Sequence, residues 1–182
     1  AHIQSTGPEI WQQTQGEMTH FVATMGTGGT ITGCGKSLVS QAQRDGKDTP
    51  LIVGVDVQGS ILKQWFDQGT LGDSHTYKVE GFGEDFIPSA TDFSVIDEIR
   101  MVDDEDCFRM TRRLAKQEGL FCGGSCGGAI KIALDIANEY DNRGEKARII
   151  VILPDAGNPY LGKVYNDDWL RDNGFDVDGW EW

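Results

Sequence analysis

The 182-residue sequence predicts an α/β fold: a doubly wound, mainly parallel sheet with helices on both faces, in a single domain over residues 1–182. Three observations carry this. Short apolar runs alternate with helical stretches along the chain. Leu51-Ile52-Val53-Gly54-Val55 and Ile149-Ile150-Val151-Ile152-Leu153 are apolar almost throughout, as strands buried on both faces are. Two glycine-rich clusters each stand just before a helical stretch, where such folds place ligand-binding loops at the carboxyl ends of strands. The length suffices for one core and is short for two.

The elements follow in order. Thr6-Gly7-Pro8-Glu9 reads as a capping box with an early proline, opening a helix to about Thr14 that Gly16 ends. His20 to Thr24 is a strand, and a helix runs from about Ile31 to Ala42. After the Leu51–Val55 strand, residues 56–88 are irregular and glycine-rich, with a short strand expected near Tyr77–Val79. Ser94 to Val102 reads as a strand. Asp103-Asp104-Glu105-Asp106 then supplies a cap and an acidic first turn for a helix to about Glu118, stopped by Gly119. In the next helix Ala129, Ile130, Ala133, Ile136, Ala137 and Tyr140 share a face, and Ile149–Leu153 is the last buried strand. Asp167-Asp168 reads as a cap or solvated turn; Trp180 and Trp182 read as packing or contact residues.

Composition excludes several classes. With 38% hydrophobic and 25% charged residues the chain is globular. A net charge of -13 argues against nucleic acid or an anionic membrane as partner. No run is long and apolar enough to span a bilayer, and no signal peptide is visible. Cys34, Cys107, Cys122 and Cys126 lack the spacing of a zinc site or disulfide framework and read as thiols in a reducing compartment. No metal site is expected. The absence of an initiator methionine points to a fragment or a processed product.

Gly26-Thr27-Gly28-Gly29-Thr30 lies between a strand and a helix. Amide groups at a helix start are unsatisfied and carry partial positive charge, so they bind phosphate without a basic side chain. Glycines let the backbone approach, and threonine hydroxyls add donors. A bare glycine-rich turn is the plainer alternative. The dinucleotide pattern fails at Ile31. A nucleotide-kinase loop ending at Gly35-Lys36-Ser37 fails because Thr30 stands where its first glycine belongs.

The second cluster, Gly123-Gly124-Ser125-Cys126-Gly127, matches a nucleophile elbow literally. A hydrolase needs its histidine later in the chain, and His2, His20 and His75 all come earlier. Ser125 is therefore either a neutral partner for a ring nitrogen or a helix cap.

Together these motifs resemble the cysteine synthase and cystathionine β-synthase family, the fold type II enzymes that use pyridoxal 5'-phosphate. The resemblance runs through Thr6–Ile10, Thr19–Val22, the loop Gly26–Gly33, Glu80–Pro88, Glu118–Ser125 and Leu153–Asp155. Gly59–Leu62, Gly83–Pro88 and Lys163–Leu170 look most like cystathionine β-synthase. The resemblance implies that Gly26, Thr27, Gly28, Gly29 and Thr30 hold the cofactor phosphate. It implies that Ser125 bonds the pyridine nitrogen, that Gly81, Phe82 and Gly83 line the substrate space, and that Pro154 and Asp155 lie near the ring nitrogen. A neutral hydroxyl there makes the ring a weaker electron sink, suiting β-elimination over transamination. Phe82 stands where the family usually has isoleucine, Cys126 where a small residue is common, and Asn158-Pro159 replaces an arginine-containing turn.

The family's Schiff-base lysine belongs to an SxKxR-like segment in its first half, and none of the eight lysines here has that context. The chain therefore reads as the second half of a catalytic core, truncated at the N-terminus. It supplies no catalytic residue and is inactive or aggregation-prone alone. The implied activity is β-replacement on serine by homocysteine, in transsulfuration. The alternatives are replacement on O-acetylserine by sulfide, in cysteine biosynthesis, and a non-catalytic half-protein binding the cofactor or a partner. Small amino-acid and thiol substrates, a homodimer and a cytoplasmic location are the corresponding expectations.

Overall fold

The computed structural model describes residues 1–180. Four strands, β1 (His20–Thr24), β2 (Leu51–Val57), β3 (Glu98–Val102) and β4 (Ile149–Val151), form one sheet in the order β3-β2-β1-β4. All pairings are parallel, with Phe21 opposite both Ile52 and Ile150. Side chains alternate across the sheet. Phe21, Ala23, Ile52 and Ile99 join a core with Ile10 and Trp11 of α1 (Thr6–Thr14), Ile31 and Leu38 of α2 (Gly29–Asp45), and Leu62 of α3 (Leu62–Gln68). Val22, Val53, Val55 and Val102 face the other way, onto Cys107 and Phe108 of α4 (Asp104–Arg113) and Ile132 and Ile136 of α5 (Gly124–Asn142). Helices thus cover both faces, as a doubly wound fold requires. A short α6 (Asp167–Asp172) follows.

Several local expectations are corrected. α1 spans the predicted residues, but the capping box does not form. Ser5 holds the cap position without a side-chain bond, and Thr6 Oγ1 pairs instead with His2 Nδ1 at 2.9 Å. No strand forms at Tyr77–Val79. The amides of Lys78 and Val79 donate to the Asp104 carboxylate at 2.7 and 2.8 Å, so they need no strand partner. β3 begins only at Glu98, because Asp92 accepts Ser94 N–H and closes a 3₁₀ turn over Phe93–Val95. β4 is shorter than expected and half-buried, since as an edge strand it pairs only with β1.

The acidic run after β3 serves as a helix start. Asp103 accepts Asp106 N–H at 2.8 Å. Trp180 is buried, and its indole N–H donates to Glu105 at 3.1 Å; Trp182 lies outside the described residues.

Candidate cofactor site

The loop after β1 enters α2 through Gly28, whose φ of 80° favours glycine. With glycine at the cap position there is no side-chain cap, and the first intrahelical amide bond is Thr32 N–H to Gly28 O. The amides of the first α2 residues are therefore left to point outward. Tight packing fixes the loop. A Cβ on Gly28 would fall 1.8 Å from Thr91 Oγ1, and one on Gly26 would lie 3.0 Å from Gly81 O. At Gly29 the nearest atom would be Thr27 Oγ1 at 4.0 Å, so that side is open. Thr27 is exposed, and Thr30 is half-buried with Oγ1 3.3 Å from His2 Nε2.

Gly81–Gly83 docks onto this loop. Gly83 N–H donates to Met25 O at 2.7 Å. Gly81 has φ 93° and is exposed; the nearest atoms to a Cβ there would be Oγ and Cβ of Ser125, at 3.9 and 4.0 Å. Phe82 turns inward: it is 3% exposed, and its ring would meet a Cβ on Gly128 at 3.2 Å. Gly83 is backed by Val57 and Tyr77. What this turn offers a ligand is backbone at Gly81, not the phenylalanine ring.

Ser125 sits in the first turn of α5, 4% exposed. It does not cap the helix: Gly123 holds that position, and no side chain bonds there. Its hydroxyl has no hydrogen-bond partner among the described residues. Asp155 is drawn close, since a Cβ on Gly123 would fall 2.3 Å from its Oδ1. Tyr160 Oη donates to Asp155 Oδ2 at 2.5 Å, and this bond pushes the Tyr160 hydroxyl well above its ordinary pKa. Lys36 lies inside α2, ion-paired with Asp92 at 2.7 Å, which removes it as a phosphate-loop lysine.

The structure thus places the Gly81 backbone next to both the loop that opens α2, at Gly26, and the Ser125 side chain. Open amides, a gap that no Cβ fills and an unpaired hydroxyl fit an anionic group joined to a ring with a polar nitrogen. Sequence reasoning missed three neighbours: His2, which meets Thr30; Thr91, which packs on Gly28; and Tyr160, which holds Asp155. No local pattern marks His2 and Thr91, because each acts across a long sequence separation, whereas Tyr160 reaches Asp155 from five residues away. Among the described residues no group of three His, Cys, Asp or Glu side chains could hold a metal ion. No helix there is long and apolar enough to cross a membrane.

A family model described as pyridoxal-phosphate dependent enzyme matches residues 1–155, and the chain belongs to that family. Within it, the chain is 41% identical to a cystathionine beta-synthase of Dictyostelium discoideum over 175 residues, covering 96% of this chain and 33% of the relative. It is equally identical to a cystathionine beta-synthase of Mus musculus, covering 96% of this chain and 30% of that protein. The chain thus spans about a third of these relatives. Among solved structures, O-acetyl serine sulfhydrylase isoform 3 from Entamoeba histolytica superposes with a TM-score of 0.79 at 30% identity, over 90% of this chain and 45% of that one. The fold is that of a fold type II enzyme core.

Proposed function

We propose that this chain is the cofactor-holding part of a β-replacement enzyme that joins serine to homocysteine, forming cystathionine. The observation that carries the reading is Gly81 lying against both the uncapped start of α2 and Ser125, in a chain about 40% identical to cystathionine beta-synthases. When bound, pyridoxal 5'-phosphate supplies an electron sink for removal of an α-proton and a β-substituent.

The chain's own residues have four tasks in this reading. The amides of Gly29 and Thr30, with the Thr27 and Thr30 hydroxyls, hold the phosphate. The Ser125 hydroxyl bonds the ring nitrogen without donating a full charge to it. Gly26 and Gly28 let Gly81 and Thr91 pack against the loop and fix its shape, while Gly29 leaves its own side open. The Gly81 backbone leaves room for the reacting amino acid. Asp155, committed to Tyr160, leaves the neutral hydroxyl as the ring's partner.

The lysine that takes the α-proton is proposed to come from sequence outside this chain, in a homodimeric cytoplasmic enzyme. The second reading, sulfide addition to O-acetylserine, is favoured by the structural likeness to a sulfhydrylase. Purified full-length protein containing this sequence decides between them. Cystathionine from serine and homocysteine, well above cysteine from O-acetylserine and sulfide, supports the first reading, and the reverse ratio supports the second. Cystathionine formed by residues 1–182 alone would overturn the assignment of the base to another segment.

A further inference from the structure

We propose that Thr91 is a further phosphate-binding residue of the cofactor site: its hydroxyl supplies, from outside α2, the side-chain oxygen that the glycine at the helix cap lacks. The identity of the phosphate rests on the cofactor reading above; the role of the hydroxyl rests on geometry.

Helices commonly begin with a serine, threonine, aspartate or asparagine whose side-chain oxygen reaches the amides of the first turn. α2 begins with Gly28 and has no such oxygen of its own. The space is filled all the same. A Cβ on Gly28 would fall 1.8 Å from Thr91 Oγ1 and 2.7 Å from Thr91 Cβ, so the threonine stands where a capping side chain would start.

The hydroxyl is left without a bond there. Thr91 Oγ1 is buried and has no hydrogen-bond partner among the described residues. A buried hydroxyl in that state costs free energy and calls for an explanation. The amides of Gly29, Thr30 and Ile31 precede the first intrahelical bond, Thr32 N–H to Gly28 O, and have no acceptor within the helix. One unsatisfied hydroxyl beside three unsatisfied amides suits an oxyanion, whose oxygens accept several donors at once. A hydrogen bond to such a charged acceptor is stronger than one to a neutral group.

The hydroxyl is also held in place. Thr91 N–H donates to Pro88 O at 3.0 Å, and Asp92 N–H donates to Thr32 Oγ1 at 2.9 Å. The Asp92 carboxylate pairs with Lys36 at 2.7 Å. Gly28, Thr32 and Lys36 are spaced by four residues and form one stripe of α2. The segment thus lies along the helix, with Thr91 at its open end. Lys36 gains a task from this: it tethers the segment that carries the hydroxyl. A donor fixed before the ligand arrives loses little freedom on binding.

The test titrates the apo form of the full-length protein containing this sequence with pyridoxal 5'-phosphate, pyridoxal and inorganic phosphate. Wild type, Thr91→Val and Thr91→Ser are compared. Valine keeps the side chain's outline and removes the hydroxyl. Thr91→Val is expected to bind pyridoxal phosphate at least about tenfold more weakly, with pyridoxal binding unchanged. Thr91→Ser is expected to stay within about threefold of wild type. Without ligand, Thr91→Val should melt no lower than wild type, because the hydroxyl it removes has no partner. The phosphorus resonance of the bound phosphate should move in Thr91→Val and return in Thr91→Ser. Equal affinity of wild type and Thr91→Val for pyridoxal phosphate would overturn the proposal. So would an equal loss for pyridoxal, which makes the residue a packing element. If wild type takes inorganic phosphate but neither pyridoxal form, and Thr91→Val loses it, the cofactor reading fails while the role of Thr91 stands. A cooperatively melting wild type that binds none of the three overturns both.

Discussion

The two glycine clusters look alike in sequence, and each opens a long helix, yet the structure uses them differently. Around Gly26–Gly29 the missing side chains leave room: Gly29 faces open space, and Gly26 and Gly28 let Gly81 and Thr91 close in on the loop. Around Gly123–Gly128 they permit packing. A Cβ on Gly127 would fall 2.1 Å from Cys107 O, and one on Gly128 would lie 2.9 Å from Cys107 Sγ. There α5 is pressed against α4, and the Ser125 hydroxyl bonds no other described residue. Absent side chains thus make a cradle at one helix start and a helix–helix seam at the other. The surroundings, not the glycine count, decide which.

Substitutions can sharpen that contrast. The largest effect is expected from Gly127→Ala, because the new methyl meets α4 backbone that cannot step aside. A loss of about 3 kcal/mol in urea unfolding is predicted, and a change under about 1 kcal/mol would remove the seam. Gly28→Ala should cost less, about 2 kcal/mol, from its φ of 80° and the clash with Thr91. Adding Thr91→Ala should return part of that loss and relieve a buried hydroxyl that has no partner. If the double substitution is no more stable than Gly28→Ala alone, the Thr91 contact is not what confines the loop.

Ser125→Ala should leave stability within about 0.5 kcal/mol, since the hydroxyl bonds no other described residue. It should nonetheless weaken pyridoxal phosphate binding by about fivefold. A large stability loss without a binding change would make Ser125 structural.

The smallest effect concerns pH. The Lys36 ammonium beside Asp92 pulls its carboxyl from 3.8 down to about 2. A depressed acid stabilises the fold above its unfolded value and loses that contribution as pH falls through the folded one. The Lys36–Asp92 tie between α2 and the Thr91 segment should therefore weaken between pH 3.8 and about 2. Asp92→Asn should remove this acid dependence. Because Asp92 is exposed, about 0.1 M added salt should largely erase it too.

Much of the fold was legible because its signals are local. The apolar runs at His20–Thr24 and Leu51–Val55, the glycines ending α1 and following Glu118, and the acidic start at Asp103 each act within a turn or a strand. Misread elements depend on distant partners. Asp104 takes the backbone amides of Lys78 and Val79 from across the fold, and β4 is half-buried because it has one neighbour. The site divides the same way. The open amides at Gly29 follow from a glycine-rich βα loop, while the closure of Gly81 on both Gly26 and Ser125 does not. Nor does the sequence show that Phe82 points into the core.

In the proposed function the α2 N-terminus and Ser125 hold two ends of one ligand. Equilibrium binding of pyridoxal 5'-phosphate and of pyridoxal, which lacks the phosphate, to the folded chain and to Ser125→Ala tests it most directly. The phosphorylated form should bind, pyridoxal should bind at least about a hundredfold more weakly, and Ser125→Ala should weaken both. Equal binding of the two forms, or no binding by a chain that melts cooperatively, would contradict it.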